Sequence, residues 1–394
     1  MRRVRAARDA HRPVSRVIDE HRLYLSDRNR LCAYERALAE VVRPGDVVVD
    51  LASGTGILGM LACRAGAARV YAIEMDGIAG LARELARANR FGDRLVVVKE
   101  HSTAATLPER ADVLVSDQIG RFGLEASIVE LVADARARLL KPDARLIPCA
   151  VELVVAPVRH PRLFRRIEFW SRRPAGFDYE PARGIAANTG YPARLSADHL
   201  LGPASPLLTI DLTKDAPDTL TEQASMTIAE TGCLHGIGGW FSARLSPSVT
   251  VTNSPLARDR IRRRQVFLPV DRAVTVSAGD VVDVRMQLRP AELMYAWDVT
   301  VRRDSGPPVR FRHSTFAGML LDPADLRRTA PGYRPRLTPR GVARLTVLSL
   351  CDGVRTLSDI EAEVQGRHPE LFASRGDAAA FVAEVVTRYS SDAD

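Results

Sequence analysis

The stretch from Val47 to Gly59, VVVDLASGTGILG, constrains this chain more than any other. An apolar run ends at Asp50, a turn carries Gly54 and Gly56, and Ile57, Leu58, Leu61 and Ala62 follow at helical spacing. A strand that turns on glycines into a helix brings backbone N–H groups close to a ligand. The pattern continues with VYAIEM, a helix over Gly77 to Arg90, LVVVKE, ADVLVSD and a helix over Leu124 to Leu140. Repeated strand and helix units predict an α/β fold with a doubly wound parallel sheet. Upstream, Leu31, Tyr34, Leu38 and Val41 share one face of a predicted helix that stops at Pro44 and Gly45 and covers the ligand pocket. Residues 1–20 are Arg-rich and read as an arm or a first helix.

Ligands of such sheets sit at the C-terminal strand ends, where Asp50, Glu74, Lys99 to Ser102 and Asp117 fall. Gly54, Gly56 and Gly59 satisfy GxGxxG, and Glu74 follows at the spacing of a carboxylate that grips ribose hydroxyls, so a nicotinamide cofactor is one reading. Asp50 opposes it, because a charge directly before the turn would face a pyrophosphate. S-adenosylmethionine has a cationic sulfonium and ammonium and no phosphate, so carboxylates near the turn attract it. The candidate donor residues are therefore Asp50, Ala52, Ser53, Gly54, Gly56, Ile57, Leu58, Glu74, Met75 and Asp117.

After Ile147 and Pro148 the character changes to short alternating runs. In VVDVRMQLR, Val282, Val284, Met286 and Leu288 fall on one face, the period of a half-buried strand. An all-β, barrel-like domain follows, interrupted by a long aromatic-rich insertion. A third composition begins near Asp322 and reads as three short amphipathic helices, with Thr338 and Ser358 as caps. The predicted domains are 1–148, 149–321 and 322–394.

The net charge of +8 would permit an acidic partner or nucleic acid. All but three of the 56 lysines and arginines are arginine, a skew that matches a GC-rich genome, and no binding motif accompanies it; nucleic acid is not the expected partner. The five cysteines are scattered without CxxC spacing, so neither disulfides nor a metal site is expected. No apolar run reaches the roughly 20 residues of a membrane span and no signal peptide opens the chain, which predicts a cytoplasmic protein.

Over roughly residues 20–320 the sequence resembles the protein arginine methyltransferases, a family of class I methyltransferases. The likeness rests on LSDRNRLCAYERAL, on VVVDLASGTGILGMLACRAGAARVYAIEMD and on ADVLVSDQIGRFGLEASIVELVADARARLLKPDARLIP. It implies a Rossmann-like donor domain, a β-barrel with a dimerisation arm at about residues 160–201, and a homodimer. It also implies that Arg30 pairs with the donor's carboxylate, that Glu74 holds the ribose and that Ser102 and Thr103 border the adenine. Asp117 and Glu125 occupy the places of two glutamates that clamp a guanidinium in that family, and are the candidate catalytic pair.

The family's Thr-His-Trp loop is replaced by Arg260, Ile261 and Arg262, which points away from the usual acceptor. Arg260, Arg262 and Arg263 are candidate substrate residues able to grip a carboxylate, and His235, also a candidate there, reads as core or pocket wall rather than catalytic. The tail, LTPRGVARLTVLSLCDGVRTLSDIEAEV, resembles PqqD-like winged-helix modules that bind leader peptides by strand addition. Together these resemblances imply a methyltransferase acting on an amine of a ribosomally made precursor peptide, as in daptide-type pathways. Carboxyl O-methylation, arginine N-methylation and a catalytically inactive peptide scaffold are the alternatives.

Overall fold

Every residue of strand β1 (Val47–Leu51) is buried, because both its faces are covered. It sits at the centre of a parallel sheet of order β3-β2-β1-β4-β5, with β2 at Arg69–Ile73, β3 at Leu95–Val98, β4 at Ala111–Ser116 and β5 at Leu140–Ile147. The strand order reverses between β1 and β4, and ligands of such sheets bind at that crevice. This computed structural model describes residues 14–304 and 306–390, and the chain forms two units, Met1–Met319 and Leu320–Asp394.

Two helices precede the sheet, α1 (Val14–Leu25) and α2 (Arg28–Val41). Asp27 separates them and caps α2, its Oδ1 accepting from Arg30 N at 3.3 Å. Part of the expected first arm, residues 1–13, lies outside the described residues. The helix expected from Leu124 begins only at Ile128, because residues 124–127 turn first.

Past residue 150 the strands are antiparallel. Six form one sheet, ordered β7 (Tyr191–Ala193), β12 (Gln265–Val276), β10 (Gly232–Arg244), β6 (Ala150–Val158) and β8 (Ser205–Asp211) with β11 (Thr250–Thr252) on β10, and four form a second, ordered β15 (Val309–Ser314), β14 (Met294–Arg302), β13 (Val281–Arg289) and β9 (Leu220–Thr227). The longest are β10 (Gly232–Arg244) and β12 (Gln265–Val276). Val282, Val284, Met286 and Leu288 are all buried, as their alternation predicts. The inward faces share one core, and the buried Trp297 crosses it to donate its indole N–H to the Pro269 carbonyl at 3.0 Å. The insertion is ordered: helices Pro161–Glu168 and Glu180–Ala187 build a second small core with Leu195 and Trp240. Phe169, Phe177 and Tyr179 remain exposed on it.

The Leu320–Asp394 unit packs Ala343, Val347, Val364, Phe381 and Val382 between helices Pro339–Leu350, Leu357–Arg367 and Arg375–Tyr389. Thr338, Thr356 and Ser374 cap them; Ser358 lies inside its helix rather than at the cap. No strand occurs among the described residues of this unit, so the expected winged helix lacks its wing and offers no sheet edge to a peptide strand. No helix among the described residues is long and apolar enough to cross a membrane.

Gly239 of β10 lets the barrel sheet approach the loop after β4. A Cβ there would lie 2.6 Å from the ring of the fully buried Phe122 and 2.9 Å from Val266. Gly239→Ala is therefore expected to cost about 1–3 kcal/mol by overpacking. Chemical denaturation checks this, and an unchanged midpoint would contradict the close packing.

Candidate active site

The glycine turn after β1 is held in shape by the carboxylates around it. Ala52, Gly54 and Gly56 all have positive φ, and Gly54 is also crowded: a Cβ there would lie 2.6 Å from the His21 imidazole on α1. Glu74, at the end of β2, accepts from Gly54 N at 2.8 Å and from Asp76 N at 2.9 Å, tying two strand ends together. Asp50 accepts from Gly59 N at 2.7 Å through Oδ2, while its buried Oδ1 has no partner. Burial pushes its carboxyl up to about 7, against the Gly59 hydrogen bond and Arg30, which favour the charged form.

At the end of β4, Asp117 is the meeting point of three elements. Arg30 Nε donates to its Oδ2 at 2.5 Å, Arg263 Nη2 donates to the same oxygen at 2.8 Å, and the Tyr34 hydroxyl donates to Oδ1 at 3.1 Å. Burial raises the Asp117 carboxyl, and Arg263 and Arg30 outweigh it, holding the group below the ordinary carboxylate range. Arg30 lies between the rings of Tyr24 and Tyr34, 5.7 and 5.5 Å from their centroids, and its Nη1 is buried without a partner. Glu125 closes the same loop: its Oε2 accepts from Arg121 N at 2.9 Å and Phe122 N at 2.7 Å, while its buried Oε1 has no hydrogen bond. Arg121 Nε, 3.8 Å from that oxygen, is too far to make one.

Several expected residues fall together here: Arg30, Asp50, Ser53, Gly54, Gly56, Glu74, Asp117 and Glu125 flank the β1–β4 crevice or its adjoining loops. Ile57 and Leu58 begin the following helix, Met75 is exposed after β2, and the Ser102 carbonyl accepts from Arg138 beside the exposed Thr103. Others depart from expectation. Of the arginines before β12, only Arg263 points inward; Arg260 turns back to the Pro255 carbonyl and the Arg262 side chain is exposed. The carboxylate that Arg263 grips is the chain's own Asp117. Of the two readings for His235 the structure shows packing: its Nδ1 accepts from His160 N at 3.2 Å and its ring lies on Phe164 of the insertion, away from the crevice residues.

Sequence reasoning missed two residues that position the site. Asn253, fully buried, donates to the carbonyls of Arg121 and Arg264 at 2.8 and 3.0 Å and so joins the Glu125 loop to the barrel. Asp27 joins α2 to that barrel segment, its Oδ2 accepting from Arg262 N at 2.6 Å. Neither belongs to a spacing pattern; only the contacts reveal them.

The orphaned polar atoms test which ligand the crevice fits. Arg30 Nη1 is a free donor for a carboxylate, Asp50 Oδ1 a free acceptor facing a site that favours positive charge, and Ser53 Oγ is buried and unpaired. An anion-binding donor, an acidic acceptor and a hydroxyl are the chemistry an amino-acid-bearing sulfonium donor calls for, whereas a pyrophosphate would meet Asp50 and Glu74. The fold and the site thus define a methyltransferase that uses S-adenosylmethionine.

Comparison with known proteins agrees. Residues 30–150 match the family model described as ribosomal protein L11 methyltransferase, and residues 150–302 match the arginine methyltransferase oligomerization subdomain. An arginine N(omega)-methyltransferase from Streptomyces achromogenes subsp. streptozoticus is 30% identical over 68% of this chain and 75% of its own length. Protein arginine N-methyltransferase 6 of Xenopus tropicalis is 27% identical over 70% of this chain and 85% of its own. The Trypanosoma brucei PRMT1 enzyme-prozyme heterotetramer with AdoHcy superposes with a TM-score of 0.66 at 21% identity, covering 74% of this chain and 97% of that one. The chain belongs to the arginine methyltransferase family of S-adenosylmethionine-dependent methyltransferases.

Because a cationic donor stabilises ionised Asp50, donor binding should release a proton near pH 7, and affinity should rise with pH until Asp50 is ionised in the free protein. Calorimetry at pH 7 in buffers of different ionisation enthalpy reads this directly. Asp50→Asn should abolish the buffer dependence; a wild type without any would contradict the assignment.

Proposed function

We propose that the chain is an N-methyltransferase that moves a methyl group from S-adenosylmethionine to a nitrogen of a peptide or protein, arginine being the acceptor its relatives support best. The observation that carries this reading is Glu125: a carboxylate whose one oxygen is fixed by two backbone N–H groups while the other is buried and accepts no hydrogen bond, Arg121 Nε lying 3.8 Å away. Such an oxygen favours a protonated or partly positive nitrogen and can accept the proton that nitrogen sheds. The donor, when bound, supplies an electrophilic methyl carbon. The acceptor nitrogen's lone pair forms the new N–C bond as the S–C bond breaks, its electron pair staying on sulfur, and the displaced proton leaves by way of Glu125. In-line displacement depends chiefly on positioning, which Asn253 provides by anchoring this loop to the barrel.

A second reading, the primary amine of a ribosomally made precursor peptide, draws support from the single open oxygen, which suits a compact ammonium. Binding of a leader by strand addition to the C-terminal unit draws none. If that unit holds a peptide, its exposed Val342, Leu345 and Leu348 provide the surface. Carboxyl O-methylation loses its support because Arg263 is already paired with Asp117. An inactive scaffold is disfavoured by the intact donor groups. A homodimer is the proposed assembly, supported by the oligomerization-subdomain match and the exposed aromatic residues of the insertion.

Glu125→Gln keeps an oxygen for the two backbone donors and replaces the open acceptor with an N–H. It is expected to lower kcat by about 10²–10⁴ with donor affinity unchanged, measured by methyl transfer to an arginine- or amine-bearing peptide and by donor calorimetry. Wild-type turnover in this variant would refute the role of Glu125.

A further inference from the structure

The loop after β4 already holds a guanidinium of its own. Arg263 lies against Asp117 through Nη2 at 2.8 Å, its Nη1 reaches toward the Gly120 carbonyl at 3.4 Å, and its carbon sits 5.9 Å from the Phe241 ring centroid. Its side chain is only 13% exposed. Gly120 is also where Glu125 packs, since a Cβ on that glycine would lie 2.5 Å from Glu125 Oε2. The internal guanidinium therefore lies along the stretch of loop whose two ends carry the site's carboxylates.

The count of free oxygens follows. Asp117 accepts at both oxygens, from Arg30 and Arg263 at Oδ2 and Tyr34 at Oδ1, and Glu125 Oε2 accepts from two backbone N–H groups, so Glu125 Oε1, with Arg121 Nε 3.8 Å away, is the carboxylate oxygen of this pair that accepts no hydrogen bond. A guanidinium is a planar fork that binds best to two acceptor oxygens, whereas an ammonium is a compact charge that one oxygen can hold.

We propose that Arg263 is a specificity-determining residue: by occupying Asp117 it keeps an acceptor guanidinium from binding in a fork, and tilts the site toward compact amines held by Glu125. This rests on the N-methyltransferase reading above and concerns which nitrogens that site admits. It also accounts for an arginine in a barrel loop that neither contacts solvent freely nor caps an element.

The test uses two glycine-rich peptides, identical except for a single Arg or Lys, with the full-length wild type, Arg263→Met and Arg263→Lys. The readouts are kcat and KM for each peptide, with donor calorimetry on each protein. Arg263→Met should raise the Arg-to-Lys ratio of kcat/KM by at least about tenfold, mainly through a lower KM for the Arg peptide. Arg263→Lys, which keeps the charge but loses the fork, should fall between. If a variant binds the donor and its ratio stays at the wild-type value, the proposal is wrong. If all three proteins bind the donor and none methylates either nitrogen, the N-methyltransferase reading falls and takes the proposal with it.

Discussion

The buried carboxylate of Asp117 joins three parts of the protein that are distant in sequence: Arg30 of the helix before the sheet, the end of strand β4 beside the central β1, and Arg263 of the barrel. Taking three charges out of water is costly, and it is offset only while all three remain together. Removing the carboxylate alone would strand two buried guanidinium groups, a loss on the order of 3–5 kcal/mol. Asp117 is thus a structural keystone as much as a site residue. Glu125, with one oxygen free of hydrogen bonds, is the carboxylate to which the proposed reaction assigns the chemistry.

On the donor side the same economy of charge operates with opposite sign. Asp50 and Glu74 shape the turn by accepting backbone N–H groups, and Asp50 retains a free oxygen in a place where burial opposes its ionisation. A bound cation relieves that opposition. The turn thus favours a positive ligand, and the buried Arg30 Nη1 beside it has no partner within the protein.

Local features of this fold were legible in the sequence. The apolar runs around Val48 and Val113, the glycine turn and the alternation from Val282 to Leu288 each reflect burial of nearby residues, and periodicity reports that directly. Asp50 and Glu74 could be placed beside the glycine turn because strand ends put them there. What depended on distant contacts was not legible. The Asp117–Arg263 pair spans a sequence separation of 146, and the arginine run around it looks uniform until folding selects one member. Asn253 is a similar case: it belongs to no pattern in the sequence and joins two loops. The C-terminal tail showed its helices by their caps and spacing, but its resemblance to a winged helix implied strands that the described residues do not contain.

The account's central claim is that this crevice delivers a methyl group to a nitrogen beside Glu125. Its most direct measurement is mass-spectrometric fragmentation of an acceptor peptide after reaction with S-adenosylmethionine carrying a deuterated methyl. The account predicts the label on a guanidinium or amine nitrogen, with the yield lost in Glu125→Gln. Label recovered as a methyl ester, or on nitrogen at equal yield without the Glu125 carboxylate, would contradict it.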